Sequence, residues 1–251
     1  MARRSSFQGV VNIVRFNWHF YVLAAVGVAV GLLVASWLGD YFFVAGVCVA
    51  VGVLATTIIS LLVSWYVYDK SELYRFGWLP EVPVGAKIVN IHAGFDETSS
   101  LLADKYPTAD LTVLDFYDPK LHTEVSIKRA RRAYPPYPGT LPISTTDLGL
   151  EAESIDMIFL LLAAHEIRQL EERAHFFQQI RQALKPGGHV ILTEHLRDGP
   201  NAFAYSFGAF HFLPYHEWRA TFSMAQFELV GAQKITPFLT TFTLTKDVDT
   251  P

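Results

Sequence analysis

The sequence predicts an α/β protein with a mostly parallel seven-stranded sheet, which ends in an antiparallel hairpin and is preceded by a transmembrane helical hairpin. Three observations lead to this prediction. Two long apolar runs without charge precede residue 70. Short apolar segments then alternate with helical patterns, which is typical of a parallel sheet covered by helices. The C-terminal stretch FELVGAQKITPFLTTFTLTK reads as two strands joined by a short turn.

The two apolar runs are Tyr21–Gly39 and Tyr41–Tyr68, and only Asp40 interrupts them. Each provides the roughly 20 apolar residues that a membrane-spanning helix needs. Aromatic residues gather at the ends of the runs, where membrane interfaces favour them. We therefore predict two transmembrane helices within residues 18–68. The alternative is a buried helical hairpin in a soluble protein.

Basic residues predict the orientation of this hairpin. Arg3, Arg4 and Arg15 precede the first run, and Lys70 and Arg75 follow the second. Because positive charge favours the cytoplasmic side, we expect a two-span membrane protein with both termini and the C-terminal domain in the cytoplasm.

Small residues in the spans permit close helix contacts. Gly27 and Gly31 form a G-x-x-x-G pair in the first span, and Gly46 and Gly52 lie in the second. The simpler expectation is pairing within the hairpin, and the alternative is a homodimer through the transmembrane helices.

Composition excludes several classes of protein. The net charge is −4, and no basic stripe with interleaved aromatic residues indicates nucleic-acid binding. Cys48 is the single cysteine, so cysteine-based metal sites are excluded. The predicted organisation is a cytoplasmic segment (1–17), the two spans (18–68), a juxtamembrane linker (69–86) and an α/β domain (87–251). The linker is expected to form an amphipathic juncture near the membrane surface.

The α/β domain should contain five strands before the hairpin. The fourth is a continuous apolar run, as expected for a strand buried on both faces. The predicted strands are Lys87–Ile91, Leu111–Asp115, Ile143–Thr145, Ile155–Leu162 and His189–Glu194, and the predicted helices are Glu97–Lys105, Ser126–Ala133 and Leu170–Leu184. In such sheets, ligands bind at the carboxyl ends of the strands.

Three stretches carry a resemblance to a known family: FFQQIRQALKPGGHVILTE, LTVLDFYDP and STTDLGLEAESIDMIFLLLAAHEI. They resemble the class I S-adenosylmethionine-dependent methyltransferases, particularly those acting on small molecules and lipids such as quinone precursors. The resemblance covers about residues 85–246 and implies a Rossmann-like sheet and S-adenosylmethionine as cofactor.

The resemblance also assigns residues to the cofactor. Asp115 would accept hydrogen bonds from the two ribose hydroxyls, because a carboxylate offers two acceptor oxygens. Asp147 would lie near the adenine, and Ala163 would contact the cofactor after the fourth strand.

The first motif, NIHAGFDETSS, departs from the family pattern of an acidic residue followed by Gly-x-Gly-x-Gly. Asn90 takes the acidic position, His92 and Asp96 replace the outer glycines, and Gly94 remains. Asn90, His92 and Gly94 are expected to contact the cofactor. Asp96 and Glu97 are expected to face its ammonium group.

His165 follows the fourth strand, on the side where the resemblance places the methyl group. Its near-neutral pKa would suit a general base that takes a proton from the methyl acceptor. The alternative is that His165 packs beneath the cofactor or caps the next helix.

Residues 193–218 are rich in Phe, Tyr and His and are expected to form a substrate lid. Their aromatic wall would suit a hydrophobic substrate, whereas a core helix with aromatic packing is the alternative. The predicted lid residues are Glu194, His195, Arg197, Tyr205 and His211. Metal binding by His195, His211 and His216 is conceivable, but their spacing matches no standard site, so no metal is predicted.

These observations predict a membrane-anchored methyltransferase for a hydrophobic small molecule such as a lipid, quinone, or aryl or polyene precursor. One alternative is a catalytically silent module that scaffolds a membrane complex. Another is a dinucleotide-dependent reductase, against which the Leu-Lys-Pro-Gly-Gly turn, the terminal hairpin and the acidic residues of the first turn argue.

Overall fold

A computed structural model describes residues 5–246. Its seven-stranded sheet has the order β3-β2-β1-β4-β5-β7-β6, in which β1 to β5 are parallel and β7 runs antiparallel to both β5 and β6. This confirms the predicted fold class. The strands are β1 (Lys87–His92), β2 (Asp110–Asp115), β3 (Leu141–Pro142), β4 (Ile155–Leu161), β5 (Leu184–His195), β6 (Glu228–Thr236) and β7 (Leu239–Thr245).

Within residues 5–246, seven α-helices precede and cover the sheet. They are α1 (Gln8–Leu38), α2 (Asp40–Trp65), α3 (Ser99–Lys105), α4 (Val125–Ala133), α5 (Leu170–Ala183), α6 (Gly199–Tyr205) and α7 (Tyr215–Met224). Four short helical turns lie between them: a π-helical turn at Tyr66–Lys70 and 3₁₀ turns at Leu73–Arg75, Ala164–Glu166 and Ser206–His211.

Both faces of the central strand β4 are buried, as its continuous apolar sequence predicts. Phe176, Phe177 and Trp218, on α5 and α7, pack in the core on one face. Phe76 and Tyr106 belong to the core on the other face. The sheet is therefore a rigid platform whose strand ends can position a site.

Two strands differ from the sequence prediction. The third strand is Leu141–Pro142, before the predicted Ile143–Thr145, and it pairs only with the end of β2. The fifth strand begins at Leu184, because the Lys185–Gly188 turn forms a bulge within it. Gly187 has a φ of 74° in this bulge, a conformation that glycine adopts without strain.

Helices α1 and α2 expose their apolar surfaces. Both are long and apolar enough to cross a membrane, a test that signal sequences and core helices also pass, and neither apolar stretch is buried. Trp37 is 82% exposed. The 26 residues of α2 extend about 39 Å at 1.5 Å per residue, which exceeds the roughly 30 Å of a bilayer core. The buried-hairpin alternative is thus not what the chain forms.

The connection between these helices is a single residue, Gly39, with a φ of 108°. Close contact within the hairpin occurs at Gly46, where a Cβ would lie 3.2 Å from the Cβ of Ala35. Gly27 and Gly31 have no such neighbour within 4 Å among residues 5–246. The expectation that this glycine pair packs within the hairpin is therefore wrong.

The first turns of α1 belong to the α/β domain rather than to the exposed hairpin. A break in helical geometry at Asn17 separates the two parts, close to the predicted boundary at residue 17. Phe16 and Asn12 are buried, and Asn12 Oδ1 accepts a hydrogen bond from the Tyr134 hydroxyl at 2.9 Å. Arg3 and Arg4, used to predict orientation, lie outside the described residues.

Asp69, after α2, caps the N-terminus of α1. Its carboxylate accepts hydrogen bonds from the backbone N–H groups of Gly9 at 2.7 Å and Val10 at 2.9 Å. Such N–H groups have no partner inside their own helix, and a negative charge is favourable there. In the segment that follows, Leu73 and Phe76 are buried against the domain, whereas Glu72 and Arg75 are exposed. The predicted position of this juncture near the membrane surface remains a prediction.

Candidate active site

A cavity of about 230 Å³ lies where the base of α1 meets the carboxyl ends of β1 and β4. Its walls come from two parts of the chain. Residues from the domain include His92, Glu97, Leu161 and Leu162, and residues from the hairpin base include Asn12, Phe16, Tyr68 and Tyr74.

Asn90 ties strand β1 to helix α3. Its amide group donates hydrogen bonds to the hydroxyls of Thr98 at 2.9 Å and Ser99 at 2.8 Å. Its Oδ1 is buried and has no hydrogen-bond partner within residues 5–246. Asn90 Oδ1 is thus an unused hydrogen-bond acceptor at the position where the family carries an acidic residue.

His92 is buried at the end of β1 and lines the cavity. Its Nδ1 accepts the Gly94 N–H at 3.1 Å, which leaves the proton of the neutral ring on Nε2. That Nε2 is buried without a hydrogen-bond partner in the described chain. Burial lowers the pKa of His92, so the ring is a neutral donor facing the site.

The two acidic residues of the first turn have different surroundings. Asp96 Oδ1 accepts the N–H groups of Thr98 and Ser99, both at 2.9 Å. Through this oxygen the carboxylate binds the start of α3, and its expected contact with the ammonium group remains a prediction. Glu97 lines the cavity and accepts a hydrogen bond from the Tyr74 hydroxyl at 2.9 Å.

Asp115 is buried at the end of β2 and is already paired. Its Oδ1 accepts the N–H of Tyr117 at 3.0 Å, and its Oδ2 accepts from the Arg131 guanidinium. Arg131 also donates to the Gly94 carbonyl at 3.2 Å and lies 4.5 Å from the centre of the Tyr117 ring. Arg131 thus covers the carboxylate expected to hold ribose.

Gly94 has a φ of 94°, and a Cβ there would lie 2.9 Å from the Tyr117 ring. Glycine is required by both the backbone conformation and this contact. In this arrangement a tyrosine side chain occupies the face of Gly94 that the sequence analysis reserved for a ligand.

Asp147 and Ala163 are not brought to the cavity. Asp147 lies in an exposed turn, where its carboxylate accepts the Gly149 N–H at 2.9 Å. Ala163 is buried behind Leu161 and Leu162, which line the cavity in its place. Their predicted cofactor contacts remain predictions.

A second cluster of polar side chains lies at the ends of β4 and β5. The His165 ring is 2.6 Å from the Glu194 carboxylate through Nδ1 and 3.4 Å from Glu166 through Nε2. His211, at the end of the lid turn, lies 3.5 Å from the same Glu166 oxygen. The nitrogen and oxygen atoms of His165, Glu166 and His211 lie close enough together to hold a metal ion.

Neighbouring charges shift the pKa values of His165 and Glu166. Burial would lower the pKa of His165, but the Glu194 and Glu166 carboxylates outweigh burial and raise it to about 10. Burial would raise the pKa of Glu166, but hydrogen bonds from His165 and His211 bring it far below its usual range. The two carboxylates therefore favour the protonated form of His165, and its role as a general base remains a prediction.

His195 links two parts of the chain, and its lid role remains a prediction. It is buried, its Nδ1 donates to Asn201 Oδ1 at 2.9 Å and its Nε2 accepts from the Tyr68 hydroxyl at 2.9 Å. Its ring stacks on Phe212 at 4.7 Å. His195 joins the hairpin base to the end of β5, which the sequence analysis did not predict.

The remaining lid residues surround α6 and its following turn. Arg197 donates to the Phe212 carbonyl at 3.1 Å, and the Tyr205 ring meets His195 edge-on at 5.4 Å. Phe203, Phe207 and Phe210 point outward, with Phe207 88% exposed. An exposed aromatic surface therefore lies next to α2, against which α6 packs.

Residues 90–192, about two fifths of the chain, match the family described as methyltransferase domain. The match begins at Asn90 and ends in β5, so it contains the first motif, Asp115 and the end of β4. Residues 90–192 therefore have the sequence of a methyltransferase domain.

Solved structures share the fold of this methyltransferase domain. A Haloferax volcanii methyltransferase bound to the Trm112 activator is 16% identical, with a TM-score of 0.51 over 71% of this chain and 91% of that one. PigF with SAH is 17% identical, with a TM-score of 0.50 over 69% of this chain and 60% of that one. An S-adenosylmethionine-dependent methyltransferase from Aquifex aeolicus is 11% identical, with a TM-score of 0.50 over 75% of this chain and 97% of that one. No curated protein matches in sequence.

The first turn of this domain fits S-adenosylmethionine, the cofactor that the family resemblance implies. Two buried atoms at the end of β1 have no hydrogen-bond partner within the described residues: Asn90 Oδ1, which is an acceptor, and the protonated His92 Nε2, which is a donor. An amino-acid ligand carries an ammonium group and a carboxylate that match them. At about 230 Å³, the cavity is below the roughly 300–1,000 Å³ of a ligand site, so cofactor and acceptor together require side-chain movement.

No sequence motif pointed to Arg131, to Tyr117, or to Glu124, which lies 3.2 Å from His211 Nδ1. Arg131 lies in the basic helix SIKRARRA, where a helical repeat alone does not show which arginine faces Asp115. The hairpin base was missed as a cavity wall, although Asn12 and Asn17 interrupt the apolar pattern of α1.

Proposed function

We propose that the protein is a membrane-anchored methyltransferase that transfers the methyl group of S-adenosylmethionine to a hydrophobic small molecule. The observation that carries this proposal is the shared cavity. Phe16 and Tyr68 of the hairpin base face His92 and Leu161 of the methyltransferase domain across it. An apolar acceptor that leaves the bilayer beside α1 would thus reach the end of β4 without crossing water.

The anchor part of the proposal has two supports. The 21 residues of α1 beyond the break at Asn17 measure about 32 Å, close to the roughly 30 Å of a bilayer core. Arg15 lies just before that break and Lys70 just after α2, so both ends would be cytoplasmic. Exposed Phe203, Phe207 and Phe210 would enter the lipid interface.

The residues that would hold the cofactor are His92, Asn90 and Asp115, with Glu97 near its ammonium group. When bound, the cofactor supplies an electrophilic methyl group. The chain orients the acceptor and excludes water, since in-line transfer depends mainly on positioning. His165, which Glu194 orients at the ends of β4 and β5, would lie on the side of the acceptor.

A silent, scaffolding module is the second candidate, and the Asp115–Arg131 contact favours it. A carboxylate that is permanently paired with Arg131 would not accept the ribose hydroxyls. Gly27 and Gly31 leave one face of α1 without a close neighbour in the described chain. Two copies of α1 could pair through this face and build a complex.

The test uses full-length protein in detergent micelles. S-adenosylhomocysteine binding is measured by calorimetry, and methyl transfer from radiolabelled S-adenosylmethionine is measured into organic-extractable lipid. Binding with label in the organic phase supports the enzyme. Binding without transfer to any lipid extract would point to the scaffold, and absence of binding would overturn the enzyme proposal.

A further inference from the structure

Two histidines direct the same ring nitrogen toward one carboxylate oxygen at the end of β4. His165 Nε2 lies 3.4 Å and His211 Nε2 lies 3.5 Å from Glu166 Oε1. The two rings are nearly perpendicular, at 78°, with centroids 5.1 Å apart. The three atoms therefore form a small triangle, made from two segments that lie 45 residues apart in sequence.

The other nitrogen of each ring is held by a further carboxylate. His165 Nδ1 lies 2.6 Å from Glu194, which is fully buried, and His211 Nδ1 lies 3.2 Å from Glu124. Histidines that bind metals commonly donate their second N–H to a carboxylate, which fixes the ring and increases the basicity of the ligating nitrogen. Here both rings have that second contact.

We propose that His165 Nε2, Glu166 Oε1 and His211 Nε2 bind one divalent transition-metal ion of the Zn²⁺ class. Bonds of roughly 2.0–2.1 Å in a tetrahedral site separate neighbouring ligand atoms by about 3.4 Å. The two distances to Glu166 match that separation. Two imidazoles with one carboxylate select such an ion over Mg²⁺ or Ca²⁺, which prefer oxygen ligands.

Charge supports the same assignment. Glu194 and Glu166 are two carboxylates with side chains 1% and 10% exposed on either side of one imidazole. Buried carboxylates need a compensating cation. A divalent ion bound to His165 Nε2 provides that positive charge. The His165 ring is then neutral, and its Nδ1–H donates to Glu194.

Three protein ligands leave one tetrahedral position open, as in catalytic zinc sites. Leu162, on the cavity wall, is three residues from His165. Resting on the proposed function, we assign the open position to a hydroxyl or carbonyl oxygen of the methyl acceptor. A hydroxyl bound there would release its proton to solvent more easily and would become a better nucleophile.

Arg168 competes with a metal ion for the His211 ring. Its guanidinium lies 2.6 Å from His211 Nδ1 and 3.0 Å from Nε2, and it donates to the His211 carbonyl. Arg168 is exposed, so it can turn into solvent. Metal binding at Nε2 must displace it, and Arg168→Ala is therefore expected to bind the ion several-fold more tightly than wild type.

The test uses full-length protein in detergent micelles after treatment with a chelator. Zn²⁺ binding is measured by calorimetry, and Co²⁺ is added as a spectroscopic probe, because tetrahedral Co²⁺ absorbs visible light strongly. We expect one equivalent to bind. Glu166→Gln and His211→Ala should each weaken binding at least tenfold, and Glu194→Gln about 10–100-fold through the second contact.

His216→Ala is the matched control, since this exposed histidine lies five residues from His211 and outside the triangle. Its Zn²⁺ affinity should equal that of wild type. Absence of binding, or binding that Glu166→Gln and His211→Ala leave unchanged while both remain folded by circular dichroism, would overturn the proposal. S-adenosylhomocysteine affinity, measured without metal, tests the proposed function separately.

Discussion

Arg131 of α4 donates to the carboxylate of Asp115 at the end of β2, the acidic residue that the family uses for ribose. The same guanidinium reaches the Gly94 carbonyl at 3.2 Å. One side chain thus spans the ends of two neighbouring strands. Cofactor binding must exchange this contact for hydrogen bonds to the ribose.

Arg131→Ala is therefore expected to bind S-adenosylhomocysteine more tightly. Without Arg131 the buried carboxylate lacks a charged partner, and a hydrogen bond to a charged group is worth about 1.5–3 kcal/mol. We expect roughly a tenfold lower Kd by calorimetry. Arg132→Ala, on the exposed side of the same helix, should leave the Kd unchanged. A weaker Arg131→Ala complex would show instead that Arg131 holds the cofactor.

His92→Ala is expected to weaken cofactor binding. The buried Nε2–H faces the cavity without a partner in the described chain, so a ligand carboxylate can accept from it. Loss of one such bond, worth about 1 kcal/mol, corresponds to roughly a fivefold higher Kd. His92→Gly separates contact from obstruction, because a gain in affinity would mean that the ring only fills cofactor space.

Gly94→Ala should destabilise the methyltransferase domain. The φ of 94° and the 2.9 Å approach of the new Cβ to Tyr117 both oppose a side chain. Strain of this kind costs about 1–3 kcal/mol, which lowers Tm by several degrees. The control is Gly231→Ala, where nothing lies within 4 Å of a new Cβ and φ is not positive. An equal loss in both variants would disprove the Tyr117 contact.

Protein stability should fall as pH decreases from about 6.5 towards 4, because His195 must stay neutral. Burial lowers the pKa of His195 to about 4, whereas an unfolded histidine titrates near 6.5. Between these values the unfolded chain binds a proton that the folded chain refuses. The stabilisation present above pH 6.5 is then lost, up to roughly 3 kcal/mol.

Thermal unfolding from pH 7.5 to 4 measures this loss. His195→Gln removes the titrating group and should flatten the profile across that window, even if the variant has a lower Tm throughout. An unchanged slope would assign the pH dependence to other groups, such as the carboxylates.

Asp69→Ala should loosen the base of α1. Its carboxylate caps the Gly9 and Val10 N–H groups at 2.7 and 2.9 Å, and loss of a cap costs about 0.5–2 kcal/mol. We expect faster proteolysis within residues 5–16 and a weaker acceptor complex with cofactor affinity retained. Asp69→Asn keeps an acceptor oxygen and should recover most of the protection. Equal proteolysis of Asp69→Ala and wild type would contradict the cap.

Local pattern was enough to predict most of the fold. The continuous apolar run of β4, the Lys-Pro-Gly-Gly turn before the main part of β5 and the terminal hairpin specify a parallel sheet with one antiparallel edge. Both long helices also follow from composition, because an uncharged run of that length has few alternatives. The short β3 was misplaced, since two residues paired with β2 leave almost no pattern.

The partners of each polar side chain were decided only by tertiary structure. The sequence by itself determined the sheet, the apolar hairpin and the candidate residues at the strand ends, because periodicity and turn chemistry act over a few neighbours. It did not determine that Arg131 covers Asp115 or that His165 and His211 meet at Glu166. Those contacts join segments 16 to 45 residues apart, and only the folded strand ends bring them within hydrogen-bonding distance.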